Sequence, residues 1–113
     1  MSDELAGARC VPCEGGVPKL TDAEIAGRLP LVPGWSVSEH PDGERLERRF
    51  QFDDFVALMA FVNRMAELAE EEGHHPDFCV HYSKLDVSIW THAIGGLSQN
   101  DFILAAKIDA LRP

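Results

Sequence analysis

The 113 residues are 45% apolar and 26% charged, one domain's length, enough to bury a core without a metal or disulfide staple. Ten basic against 19 acidic residues give a net charge of −9, which argues against nucleic-acid binding by phosphate neutralisation. No apolar run reaches the roughly 18 residues of a membrane span, and the acidic opening Met1-Ser2-Asp3-Glu4 does not read as a signal peptide.

Residues 1–19 are rich in glycine and proline and read as an irregular N-terminal arm; residues 20–113 read as a single folded domain. The arm carries Cys10-Val11-Pro12-Cys13. No second CxxC completes a four-ligand zinc site, and the loop sequence from Glu14 to Pro18 offers no helix start to activate a redox thiol, so the pair reads as a tail element. With Cys79 the cysteine count is odd, which points to a reducing, cytoplasmic setting.

Thr21-Asp22-Ala23-Glu24 is a capping box with Leu20 and Ile25 at the staple positions, so a short helix is expected from Asp22 to about Leu29, stopped by Pro30 and Pro33-Gly34. Trp35–Glu39 and Glu44–Phe52 follow as strands around a His40–Gly43 turn, with Leu46, Phe50 and Phe52 on one face. Asp53 is the expected N-cap of a long helix, Asp54 to Glu72, whose apolar face runs Phe55, Met59, Val62, Ala66 and Ala69 with Leu58, Met65 and Leu68 alongside; Gly73 ends it.

Asp77–Tyr82 and Leu85–His92 read as a second hairpin turning at Ser83-Lys84, with Phe78, Val80, Tyr82, Leu85, Val87 and Ile89 on the apolar face. Ser98 caps a last helix, Gln99 to about Leu111, with Leu104, Ile108 and Leu111 inward. The order αββαββα predicts an α+β fold: a four-stranded antiparallel sheet with helices packed on one face.

The chemistry concentrates between Gly73 and Asp101. A turn at Ser83-Lys84 puts Tyr82 opposite Leu85, His81 opposite Asp86 and, at the open end of the hairpin, His75 opposite His92. Pro76 holds His75 extended and Gly73 ends the helix abruptly, so His74 and His75 occupy a rigid junction with diverging rings. An imidazole, with a pKa of about 6.5, gives or takes a proton near neutrality. From the residues alone the cluster of His74, His75 and His92 divides evenly between an acid–base site and ordinary polar positions. A metal site adding Asp101 or Cys79 is a weaker third reading, since no HxH or HxxxH spacing puts two rings on one face. Asp101 by itself reads as the far end of a capping box from Ser98, His81 as a cross-strand partner of Asp86, and His40 as a turn residue without a role.

Glu70-Glu71-Glu72-Gly73-His74-His75-Pro76-Asp77-Phe78, Trp90-Thr91-His92 and Gly96-Leu97-Ser98-Gln99-Asn100-Asp101 together resemble the pterin-4a-carbinolamine dehydratases, and looser matches extend the likeness over about residues 19–112. The resemblance implies dehydration of a 4a-hydroxytetrahydropterin, the product of aromatic amino-acid hydroxylases, to the quinonoid dihydropterin during tetrahydropterin recycling. It implies no metal and no organic cofactor. It assigns catalysis to His74, His75 and His92 with Asp101 in support, and a homo-oligomer, dimer or tetramer. Glu70, Gly73, Pro76, Trp90 and Thr91 are the expected substrate contacts. Glu70 reads equally as a pterin contact or a solvated helix end. Gly73 stands where many family members carry an acidic residue, and Phe78 where many carry tryptophan. The alternatives are a non-catalytic interaction or coactivator protein of the same fold, since some animal relatives also bind a homeodomain transcription factor as dimerisation cofactors, and a relative serving another pterin such as a molybdopterin-pathway compound.

Overall fold

Each helix in the domain begins where the chain supplies an oxygen for its unpaired N–H groups. At the first, Thr21 accepts from the Glu24 amide at 3.2 Å while Glu24 accepts from the Thr21 amide at 2.9 Å. The computed structural model describes residues 2–10 and 18–111; Cys13 and the loop after it lie outside the described residues. Eight elements follow in order: α1 (Ser2–Gly7), α2 (Asp22–Arg28), β1 (Ser36–His40), β2 (Gly43–Gln51), α3 (Phe55–Glu72), β3 (Asp77–His81), β4 (Lys84–Ile89) and α4 (Gln99–Ala110). The four antiparallel strands lie in the order β1-β2-β4-β3. Leu46, Phe50, Leu85, Val87 and Ile89 project from the central strands into the core, where the Phe50 ring meets Phe61 of α3 at 5.1 Å and α4 packs on both central strands. This is the expected α+β architecture.

Several local expectations are corrected. The arm carries a helix: α1 packs on α4, and Leu5 is buried with the core. This changes α4, which is buried almost all round, from Asn100 through Ala106 and again at Ile108, and not along one stripe. A helix that is apolar on every side needs a second cover, and α1 provides it. The N-cap of α3 is Asp54, whose carboxylate accepts from the Ala57 amide at 2.8 Å, and not Asp53. The inner face of α3 is Leu58, Phe61, Val62, Met65 and Ala69; Phe55 is half exposed and Ala66 is outside.

The second hairpin turns at Tyr82-Ser83, with His81 opposite Lys84 and Cys79 opposite Asp86. Every partner is thus displaced by two positions from the expected register, and His75 and His92 are not a cross-strand pair. The displacement is even, so the faces are preserved: Phe78 lies opposite Val87 and Val80 opposite Leu85. Tyr82 leaves the apolar face for the exposed turn, at φ +57°.

Candidate active site

The site is built where α3 ends, β4 ends and α4 begins. Gly73 adopts the left-handed conformation at φ +67°, and the amides of Gly73 and His74 both bond back to the carbonyl of Ala69. Glycine enters that conformation without the steric cost other residues meet. The chain therefore leaves the helix sharply, and His74 and His75 follow with different surroundings.

His74 is 6% exposed. Its Nε2 lies 2.6 Å from Oδ1 of Asp101, a carboxylate that is itself fully buried. The other carboxylate oxygen, Oδ2, accepts the Thr91 hydroxyl and the Ser98 amide, each at 2.8 Å. Donation across this contact from the ring to the carboxylate needs a proton on Nε2 of His74. The Ser98 hydroxyl closes the network on Thr91 at 2.8 Å. Asp101 thus combines two functions: it caps α4 and fixes a buried imidazole. The sequence had suggested only the first until the other residues of the pattern were considered.

His75 points to solvent, and its Nε2 lies 2.6 Å from Oε2 of Glu70, one turn back on α3, with both side chains well exposed. His92 opens a short 3-10 turn, His92–Ile94, on a loop pinned at its base by the Thr91 amide on the Gly96 carbonyl at 2.9 Å. Its exposed ring lies against Trp90 with centroids 4.1 Å apart. Trp90 is held in turn by its indole N–H on Asp77 at 3.4 Å and by the Arg45 guanidinium 4.5 Å over the ring. The loop also needs Gly43 of the first hairpin, because a Cβ there would collide with the Gly95 carbonyl.

Gly73, His74, His75, Trp90, Thr91 and His92 all line one cavity of about 780 Å³, within the ordinary span of small-molecule sites, about 300–1,000 Å³. The three histidines therefore share a pocket, although the register proposed for them was wrong. Asp101 and Glu70 act from behind it, on His74 and His75 respectively. Pro76 is not on the wall; it lies in the junction between His75 and β3. Cys10, Glu72, Asp77 and Ala93 also line the cavity and were not anticipated as site residues. Glu72 is concealed in the sequence by two neighbouring glutamates, and Cys10 by an arm with no periodic signal.

The proposed metal set is not assembled: Cys79 sits opposite Asp86 on the sheet, away from this cavity. Among the described residues no group of three His, Cys, Asp or Glu is arranged to hold a metal ion. His81 does approach Asp86, at 3.3 Å, but diagonally and beside the stronger Arg49 pair, whose guanidinium bonds both carboxylate oxygens at 2.6 and 2.9 Å. That guanidinium, against the opposing cost of burial, holds the Asp86 carboxyl below the usual range. His40 closes the end of β1 on Ser38 and Glu47, at 2.7 and 3.2 Å.

Comparison with known proteins gives a consistent answer. The family model described as pterin 4 alpha carbinolamine dehydratase matches residues 18–111. A protein of Aromatoleum aromaticum named "Putative pterin-4-alpha-carbinolamine dehydratase" is 50% identical over 113 residues, covering 100% of this chain and 99% of its own length. A protein of the same name from Stenotrophomonas maltophilia is 53% identical over 107 residues, 95% of this chain and 90% of its own. Among solved structures, a transcriptional coactivator/pterin dehydratase from Brucella melitensis superposes with a TM-score of 0.77 at 30% identity, covering 85% of this chain and all of that one. A pterin dehydratase-like protein described as a RuBisCO assembly factor in the alpha-carboxysome gives 0.59 at 25% identity, over 69% of this chain and 88% of its own.

Proposed function

The chain belongs to the pterin 4 alpha carbinolamine dehydratase family, and from that premise we propose that it removes water from a 4a-hydroxytetrahydropterin to give the quinonoid dihydropterin, using histidines as proton carriers. The observation that carries this reading is the meeting of His74, His75 and His92 on one cavity, with carboxylates behind two of them.

The reaction needs two proton movements. The departing hydroxyl takes a proton as the C4a–O bond breaks, and the adjacent ring nitrogen gives up its own as its lone pair forms the C=N bond. Water and the quinonoid dihydropterin are the products; the group that gave a proton and the group that took one recover their starting states by exchange with solvent. The exposed rings, His75 and His92, are suited to this exchange. A well-placed acid or base of this kind typically contributes about 10²–10⁴-fold. His74 cannot exchange as freely; with Asp101 it supplies a fixed polar wall, positioned before substrate arrives. Glu70 orients His75, and Trp90 offers an aromatic face to the pterin beside His92. Gly73 and Thr91 complete the contacts, while Pro76 acts by holding His75 in place. No metal or organic cofactor has a part in this scheme.

Two structural neighbours carry names that include a coactivator or an assembly factor. For this chain the complete histidine set on an open cavity favours catalysis over a purely binding role. The same proposal includes a cytoplasmic setting, a homo-oligomeric state and a functional link to an aromatic amino-acid hydroxylase that supplies the substrate. Stopped-flow decay of 4a-hydroxytetrahydropterin tests it. Catalytic amounts of the protein are expected to accelerate water loss well above the spontaneous rate; an unchanged decay would overturn the enzyme reading.

A further inference from the structure

Besides His74, which Asp101 holds, the cavity wall carries a second buried ionisable group that the proton transfers do not use, Glu72. Glu70, Glu71 and Glu72 are consecutive, but helical geometry turns each about 100° from the last, and their fates differ. Glu70 and Glu71 are in solvent; the Glu72 side chain is 2% exposed. Its Oε1 accepts the backbone N–H of Cys10 at 2.9 Å, and its Oε2 lies 3.3 Å from Nζ of Lys107 on α4. Burial pushes its pKa up, but the Cys10 amide, Lys107 and the charge of Arg9 outweigh it, so the carboxyl titrates below its ordinary value.

The N-terminal arm is what this carboxylate holds. Leu5 is buried, Ala6 and Ala8 pack on the core, and the Cys10 thiol lies 3.6 Å from the Asn100 carbonyl at the start of α4. Cys10 itself lines the same cavity as the three histidines. The arm is therefore tied at the end of α3 and along α4, and Cys10 forms part of the wall.

We propose that Glu72 is a positioning residue that seats the N-terminal arm against the substrate cavity, making Cys10 a wall of the pterin site that contributes to substrate affinity and not to proton transfer. This rests on the assignment of the cavity as the pterin site. Removing a wall leaves bound ligand facing water, and the loss of one side chain's worth of apolar contact is worth about tenfold in affinity. Proton transfer at His75 and His92 does not pass through Glu72, so the turnover rate of bound substrate is insensitive to it.

The test combines two readouts. Binding of 7,8-dihydrobiopterin, followed by tryptophan fluorescence, and KM and kcat are measured for Glu72→Ala and Glu72→Gln. Glu72→Ala is expected to raise Kd and KM about tenfold with kcat changed less than about twofold; Glu72→Gln, which keeps an acceptor for the Cys10 amide, recovers most of the affinity. In parallel, maleimide labelling of Cys10 is timed in a Cys13→Ser/Cys79→Ser chain that keeps Glu72. Dihydrobiopterin is expected to slow it, and Glu72→Ala in that background to speed it. Pterin binding that leaves Cys10 labelling unchanged, or a folded Glu72→Ala chain with unaltered Kd and KM, overturns the proposal. Should Glu72→Ala not fold, the protection experiment on the Glu72 chain still decides. Failure of the unmutated chain to bind dihydrobiopterin would instead overturn the site assignment, and the arm's role with it.

Discussion

His74 and His75 are neighbours in sequence and opposites in environment. Both have a carboxylate at 2.6 Å, yet the His74–Asp101 pair is sealed from water while the His75–Glu70 pair stands in it. The same contact means different things in the two places. In the interior, Asp101 also satisfies Thr91 and Ser98, so its loss takes the shared acceptor from three buried donors, of which the Thr91 hydroxyl has the Ser98 hydroxyl within reach. At the surface, water substitutes for either partner, and such pairs contribute only about 0.2–1 kcal/mol. Burial thus makes one half of the site architecture, and exposure leaves the other half free to exchange protons.

That contrast can be broken in order of expected effect. His75→Ala and His92→Ala are each expected to slow dehydration by about 10²–10⁴-fold while leaving thermal melting close to the parent; a large drop in Tm for either would place it in the architectural half. Asp101→Ala is expected to destabilise the fold by about 3 kcal/mol, for the donors that lose their acceptor, lowering Tm by more than about 10 °C. Melting like the parent's would mean the buried network is dispensable. Glu70→Gln sharpens the contrast from the other side: stability within about 0.5 kcal/mol of the parent, read by chemical denaturation, and an activity loss smaller than that of His75→Ala. His81→Ala and His40→Ala, outside the cavity, are expected to leave kcat unchanged; a loss at His81 comparable with that at His92 would put the site at the wrong end of the hairpin.

Glu72 extends the comparison to pH. Its folded pKa is depressed by the Cys10 amide and Lys107 against the cost of burial. A depressed carboxyl stabilises above its unfolded value, about 4.3, and loses that contribution as pH falls through the lower folded value. Hydrogen exchange at the Cys10 amide is therefore expected to stay protected at pH 5 and to lose protection only at a pH below the ordinary glutamate value. Protection of the Cys10 amide in a folded Glu72→Gln chain that shows the parent's pH dependence would show that the arm is held without this carboxylate.

Elements announced by capping residues were legible in the sequence, because caps are local chemistry: Thr21 with Glu24, Gly73, and Ser98 with Asp101 all stand where expected. In the pocket, His74 and His75 were legible for a related reason, since the same helix end fixes both, whereas His92 rested on the family resemblance and on a register that is two positions off. The hairpin register was not legible. The turn is made by Tyr82 at φ +57°, a conformation glycine usually supplies, and nothing in Tyr82-Ser83-Lys84 signals which pair turns. The inner face of α3 was ambiguous because Phe55, Val56, Leu58, Met59, Phe61 and Val62 place apolar side chains nearly all round its first turns; only the sheet, through Phe50 and Phe52 against Phe61, selects one face. The arm was least legible. Six residues of helix show no period, and the all-round burial of α4 that demands a cover is visible only once the sheet occupies its other side.

The most direct test of the division between a proton-moving surface and a fixed interior is a double-mutant cycle in kcat/KM for 4a-hydroxytetrahydropterin dehydration. It uses His75→Ala, His92→Ala and the two together, each shown by melting to be folded. The account predicts large single losses and a combined loss smaller than their product, since groups acting as one acid–base unit are not additive. Folded single variants that dehydrate the substrate as fast as the parent chain would contradict it.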